Sequence, residues 1–312
     1  MPLAHTTKKT AIIGARWGRA ARWWLLGAAV AVLSACSAVQ LAYRQAPNLM
    51  VWWINGQFNF NDAQAALVRQ DVDAFFAWHR QQGLPELTGQ LRRWQAQARN
   101  DWTADQVCRE VDWVRERALQ ALDQGMPAMA RMSLQLQPAQ LQRLERKQAE
   151  RNQEFREDFV QGSADERLDK RVERTAKRLK QFYGSLSAEQ EALLRQWLAR
   201  SPWDAQRSLA DRQRQQQDIR DTIRLVQTRH GTRPSGDTAP APAAVQSTLR
   251  AIADRSLQPS DPQARASQEA FVRHSCAQLA AVHNSMSPAQ RQELARTLGR
   301  YADELASFMR PD

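Results

Sequence analysis

The chain has 312 residues, 43% of them apolar, with 44 Lys+Arg against 33 Asp+Glu and a net charge of +11. That length admits one large or two ordinary domains. So basic a balance ordinarily raises nucleic acid as a partner, but here the basic residues alternate with acids, as on a solvated charged surface.

The first 22 residues carry Lys8, Lys9, Arg16, Arg19 and Arg22 and no acid, and residues 23–35 are apolar except for Ser34. A basic start, a short apolar run and small residues before a cut are the layout of a secretory leader. The run is too short to span a bilayer, which needs about 20 apolar residues. It ends in Leu33-Ser34-Ala35-Cys36, which resembles the lipobox of bacterial lipoproteins. The resemblance implies cleavage between Ala35 and Cys36, with acyl chains on the Cys36 thiol and on the new amine. Acyl chains stabilise membrane attachment by about 0.8 kcal/mol per buried CH₂, so three make a lasting anchor. An ordinary leader with a chance cysteine, or a cytosolic chain with an apolar first helix, explains the position of the tetrapeptide less well. Ser37 in place of Asp implies the periplasmic face of the outer membrane. Such an address removes nucleic acid from reach and leaves 39 basic against 33 acidic residues after cleavage. An anionic envelope surface is then the accessible electrostatic partner.

The segment 36–60 is apolar rather than a polar tether, with Leu49, Met50, Trp52, Trp53, Ile54, Phe58 and Phe60, and must pack on the domain or lie on the bilayer. Packing is the expectation, since large exposed apolar patches are uncommon. From Asn61 the apolar period is helical, with no alternating run of strand type, and predicts an all-α fold. A helix through Phe75 and Trp78 is expected to break at Gly83, and a second to start near Pro85. A third after Thr103 should end near Gly125-Met126-Pro127. A charged helix after Pro138 stops at Gly162, another runs from Ser163 to Gly184, and a further one carries Leu194 and Leu198. Ser201-Pro202 is expected to open a helix to about Arg229. Residues 230–244, rich in Pro, Gly and small side chains, read as a flexible linker between a helical domain at 61–229 and C-terminal helices at 245–312. The last two helices, about 263–284 and 288–309, are expected as an αα-hairpin docked on the helical domain. Of the three cysteines, Cys108 and Cys276 remain after lipidation, and in an oxidising compartment they are expected to pair.

One pentapeptide recurs: an apolar residue, a capping residue, two variable positions and Gln. The copies place Asn61 with Gln64, Thr103 with Gln106, Gln137 with Gln140, Ser187 with Gln190, and Ser287 with Gln290. Each is a capping box, in which the N-cap side chain accepts from the N3 amide and the N3 side chain accepts from the N-cap amide. Gln137 is the poorest N-cap, and the irregular spacing makes no solenoid. The copies also resemble the Leu-Thr-x-x-Gln motif of Spy-type periplasmic chaperones, which implies client binding. A broader resemblance rests on Ala35–Tyr43, Trp52-Trp53, Phe58–Gln64, Trp78-His79, Asp105–Cys108, Asn152–Arg156, Ser201-Pro202 and the Gln-rich run 212–218. These are similar to an uncharacterised family of helical Gram-negative outer-membrane lipoproteins. That resemblance implies address and fold over nearly all the mature chain, and no activity.

No catalytic residue, metal site or cofactor is expected beyond the lipid on Cys36. The chain has no Gly-x-Ser-x-Gly and no phosphate-cradling loop. His274 and Cys276 are two positions apart, which on a helix diverge by about 200°, and His230 falls in the linker. Glu166–Lys170 and Glu173–Lys177 read as i,i+4 surface pairs. The function expected is a non-catalytic, lipid-anchored, chaperone-like envelope protein that binds proteins or anionic envelope components through residues 138–229. The alternative is a structural scaffold subunit, with an envelope hydrolase well behind.

Overall fold

The computed structural model describes residues 40–309, so Ala35, Cys36 and the leader lie outside the described residues. The chain divides into two units, 1–46 and 47–312. Of the first, residues 40–46 are described and are helical. The second is all-α, with no strand among the described residues. It opens with α1 (residues 47–58). Then follow α2 (Asp62–Trp78), α3 (Leu84–Gln97), α4 (Ala104–Ser133), α5 (Pro138–Phe155), α6 (Ala164–Tyr183) and α7 (Ala188–Ala199). The remainder are α8 (Ala205–His230), α9 (Ala243–Leu257), α10 (Pro262–Asn284) and α11 (Pro288–Ala306).

Several helices end elsewhere than their sequence predicts. Gly83 does not break the chain: α2 passes into α3 through a π-helical turn, His79–Gly83, in which the Leu84 amide donates to the His79 carbonyl. The wider turn accommodates Pro85, which has no amide to donate. Gly83 is needed for a different reason, since a Cβ there would lie 2.6 Å from Cδ2 of the His79 ring. Likewise α4 runs straight through Pro127 to Ser133. Met126, Ala130 and Leu134 bury on either side of the proline, and that packing outweighs the roughly 3 kcal/mol a mid-helix proline costs. At the start of α8, Ser201-Pro202 stays outside the helix. Asp204 is the N-cap, accepting from the Arg207 amide at 2.6 Å, and His230 is the last residue of α8 rather than part of a linker.

α4 is the spine, about 45 Å long at 1.5 Å per residue. Near its start Val107 packs with Cys276 and Ala280 of α10. Near its end Ala130 and Leu134 pack with Val226 of α8 and Val245 of α9. The largest core cluster lies among α3, α6, α7, α10 and α11, around Leu91, Tyr183, Leu194, Leu198 and Leu298. The last two helices are not a self-packed hairpin: α10 packs chiefly on α4 and α11 on α3. Cys108 of α4 and Cys276 of α10 are joined, their sulfurs 2.06 Å apart.

The recurring glutamines join helices to one another. Each box forms on its own helix, with Asn61, Thr103, Ser187 and Ser287 as the caps. In the Gln137 copy only half is a side-chain contact: the Gln137 amide donates to Gln140 Oε1 at 2.9 Å, while the Gln140 amide donates to the Gln137 carbonyl. Gln64 and Gln140 then donate to each other, Nε2 to Oε1, at 3.2 and 2.7 Å. Gln190 and Gln290 do the same at 2.8 and 2.9 Å. Each amide nitrogen also donates to the carbonyl two residues before the partner's cap. Gln64 reaches Gln135, Gln140 reaches Asn59, Gln190 reaches Ser285 and Gln290 reaches Ser185. Two local two-fold clamps result, one tying the start of α2 to α5 and one tying α7 to α11. Gln106, on the remaining copy, is exposed and serves its own helix.

Residues 231–242 are non-helical, as their composition predicts, yet they are fastened across the first clamp. The Arg233 amide donates to the Leu134 carbonyl at 2.8 Å. The Gly236 amide donates to Gln135 Oε1 at 2.9 Å, and Gln135 Nε2 donates to the Asp237 carbonyl at 2.7 Å. Asn61 Nδ2 donates to Ser235 Oγ. Gly236 has φ +87°, a left-handed conformation that favours glycine, and a Cβ there would press on the Ala63 methyl at 3.1 Å.

Beside the second clamp, His283 is fully buried. Its Nε2 lies 2.8 Å from the Asn100 carbonyl and its Nδ1 lies 2.9 Å from the Tyr183 hydroxyl. A carbonyl only accepts, so Nε2 carries the hydrogen and Nδ1 accepts from the tyrosine. Trp102 stacks on the ring at 3.9 Å, and its backbone exchanges hydrogen bonds with the Asn284 side chain at 2.9 and 3.0 Å.

Two predictions follow from this packing. Cys276→Ser opens a cross-link spanning 168 residues and should cost about 2–4 kcal/mol in urea unfolding, with reductant having the same effect on wild type. Burial, with the Arg291 charge, holds the His283 imidazole below its ordinary 6.5, against the opposing Asn100 bond and Asp101. Its stabilising contribution is therefore complete above pH 6.5 and is lost as the pH falls below it, because the unfolded chain takes up a proton that the folded one resists. His79 shifts the same way. The urea midpoint should fall on acidification through this range, and fall less in His283→Gln.

Candidate functional site: an aromatic and arginine cleft

Where α5 ends, its last turn becomes π-helical over Arg156–Val160 before Gly162, at φ +89°, turns the chain into α6. The Phe155 and Phe159 rings lie 4.8 Å apart across this turn. Trp203, in the non-helical link between α7 and α8, meets Phe159 edge-on at 5.8 Å. Three guanidinium groups cover the three rings. Arg171 lies 4.9 Å over Trp203, Arg174 lies 4.5 Å over Phe159, and Arg212 lies 5.9 Å over Phe155. All six side chains are half-buried. Of these, Phe159, Trp203 and Arg171 border an open cleft of about 440 Å³, which Val160, Leu168 and Leu198 line with apolar surface and Arg167 and Arg171 with charge.

The arginines are not equivalent. Arg174 is paired with Asp158 at 2.7 Å. Arg212 donates to Asn152 Oδ1 at 2.9 Å. Arg167 donates to the Gly162 carbonyl at 2.6 Å. No ion pair of the described residues involves Arg171, and burial pushes its pKa down from the ordinary guanidinium value. The group stays charged, so it presents a partly desolvated cation to the cleft. Asp165 and Asp204 also border the cleft, Asp204 with an oxygen engaged in capping α8. Aromatic faces, apolar walls and a cation short of counter-charge can take apolar and anionic groups side by side.

The chemistry expected of other residues resolves residue by residue. Cys276 is bonded to Cys108, so the His274-Ser275-Cys276 run offers no thiolate. His274 instead bonds the Trp197 carbonyl at 2.9 Å and meets the Trp197 ring edge-on. No cluster that could hold a metal occurs among the described residues. Glu166 does not reach across to Lys170. Its carboxylate accepts from the Ser163 amide at 2.7 Å in a further capping box, which holds its pKa below the usual range. Glu173 and Lys177 likewise form no ion pair among the described residues. Their neighbour Asp169 pairs instead with Arg195 of α7.

The described residues thus form an all-α fold with an open cleft edged by aromatic rings and arginines. The chain belongs to a family of unknown function, DUF6279, which matches residues 57–231. That span holds the first clamp and the whole cleft. It stops short of α9–α11, so it covers less than the nearly complete mature chain the sequence resemblance implied. No curated protein and no solved structure matches the chain.

The cleft makes its own prediction. Trp203→Ala uncovers Phe159 and Arg171 while sparing both clamps. It should cost roughly 1–3 kcal/mol in urea unfolding, with helix content by far-UV circular dichroism unchanged.

Proposed function

We propose that this protein is a non-catalytic, chaperone-like interaction protein of the cell envelope, anchored by lipid on Cys36 to the periplasmic face of the outer membrane. The observation that carries the binding role is the open cleft edged by Phe159, Trp203 and Arg171, with Phe155, Arg174 and Arg212 packed into the same aromatic and arginine cluster. Tryptophan and arginine dominate the residues that carry binding energy at protein interfaces. An open cleft with apolar walls suits extended protein segments bearing apolar and acidic side chains. The five capping pentapeptides support the chaperone analogy more weakly, since four of their glutamines are engaged in holding helices together. For the anchor, support comes from the basic, apolar and small-residue order of residues 1–36 and the tetrapeptide Leu33–Cys36.

The test is suppression of aggregation of a chemically unfolded client by wild type, by Trp203→Ala and by Arg171→Gln. Both variants should retain helix content and lose most of the suppression. Suppression unchanged in both would refute the cleft as the client site. Recovery of one stoichiometric partner, with no suppression of unrelated clients, would instead support a scaffold subunit. The anchor is tested separately by intact mass and membrane fractionation beside Cys36→Ala: the acyl mass and the outer-membrane recovery should both disappear in the variant.

A further inference from the structure

Helix α1 turns its largest side chains away from the protein. Leu49, Trp52 and Trp53 are 56%, 74% and 53% exposed. With Gly56 they stand at i, i+3, i+4 and i+7, one face of a helix. The opposite face is seated: Gln57 is buried, and Met50, Ile54 and Phe58 are half-buried. The end of the helix is held by arginines of α5. Arg143 Nε donates to the Gly56 carbonyl at 3.2 Å, where a cation also meets the negative end of the helix dipole. Arg151 donates to Gln57 Oε1 and lies 5.6 Å over the Trp53 ring. Arg143, Lys147 and Arg151 stand at i, i+4 and i+8 on α5, so a basic row flanks the aromatic face. Glu150, paired with Lys147 at 2.6 Å, is the acid beside it.

We infer that α1 is a membrane-surface helix, with Leu49, Trp52 and Trp53 lying in the interfacial layer of an anionic bilayer and Arg143 and Arg151 meeting its headgroups. Tryptophan favours the boundary between headgroups and acyl chains, where its ring is apolar and its N–H is wet. An amphipathic helix binds there through its apolar face together with attraction of its cations to anionic lipid. No helix among the described residues is long and apolar enough to cross the membrane, so the helix lies on it. The inference rests on the proposed anchor only for which bilayer is met: a short stretch separates Cys36 from Pro47, and acylation at Cys36 would deliver α1 to that surface.

The test uses the full chain as isolated from cells, mixed or reconstituted with vesicles of phosphatidylethanolamine and brominated phosphatidylglycerol, which quench tryptophan at the interface. The double variant Trp52→Phe, Trp53→Phe should lose most of the quenched emission, and Arg143→Gln with Arg151→Gln should reduce it. Because both tryptophans are mainly exposed, far-UV circular dichroism should match wild type. Trp52→Ser alone gives a second reading should the double variant misfold. Quenching that is the same with and without Trp52 and Trp53 overturns the inference and leaves that face to a protein partner. Intact mass of the same sample separates the two proposals. An unacylated chain that loses quenching in the variant refutes the anchor and keeps the helix. An acylated chain whose quenching does not change refutes the helix and keeps the anchor.

Discussion

A primary amide accepts at its oxygen and donates twice from its nitrogen, and the arrangement of this chain depends on that valence. At each clamp one glutamine side chain closes its own helix, binds its counterpart and satisfies a carbonyl in the loop before the partner helix. Gln64 is fully buried and Gln140 nearly so. A buried amide left without partners costs about 1–3 kcal/mol, so the two helices cannot slide past each other without orphaning several polar atoms at once. Apolar packing tolerates adjustment, whereas a reciprocal amide pair specifies one register. Clamps at the start of α2 with α5 and of α7 with α11 therefore fix the ends of helices whose middles pack through ordinary apolar cores.

The same economy recurs away from the clamps. Gln227 satisfies the turn between α4 and α5, donating to the Ser133 and Leu136 carbonyls at 2.8 Å each, and Gln135 of that turn fastens Gly236 and Asp237. Asn284 takes the place of a neighbouring backbone for Trp102. Arg291 bridges the Asn100 turn and α11 through the Arg99 and Met286 carbonyls. Side-chain amides and guanidinium groups thus fasten the connecting segments of a fold with long helices and divided cores. In the cleft and on α1, large aromatic rings stand outside this scheme and are edged by arginines.

Much of the helix plan was legible from periodicity and caps, because a helix buries one stripe and begins where a side chain can satisfy its first amides. The Ser187 and Ser287 helices begin where their boxes place them. At Gly83 and Pro127 a local breaker gives way to a π-turn and to tertiary packing. At Pro202 and His230 the ends of α8 follow the Asp204 cap and Gly231 instead, and the pairing of α10 with α4 and of α11 with α3 is tertiary and carries no local signal. The glutamine pairs carried a signal that was not used. Glutamate caps a helix equally well, as Glu166 does, but only an amide can donate to a second helix, and all five copies end in Gln. The cleft could not be read, since it joins Phe159, Arg171 and Trp203 from three separate elements and no spacing announces it.

The central claim is that the paired glutamines act as couples rather than as separate caps, and a double-mutant cycle tests it most directly. Gln64→Leu, Gln140→Leu and their combination should be compared by urea unfolding, with the cycle repeated for Gln190 and Gln290 and with Gln106 and Gln64 as the uncoupled control. A reciprocal pair predicts strong coupling, on the order of 1 kcal/mol or more, with the double variant far less damaged than the sum of its singles. Additive losses at both clamps, indistinguishable from the Gln106 control, would contradict the account.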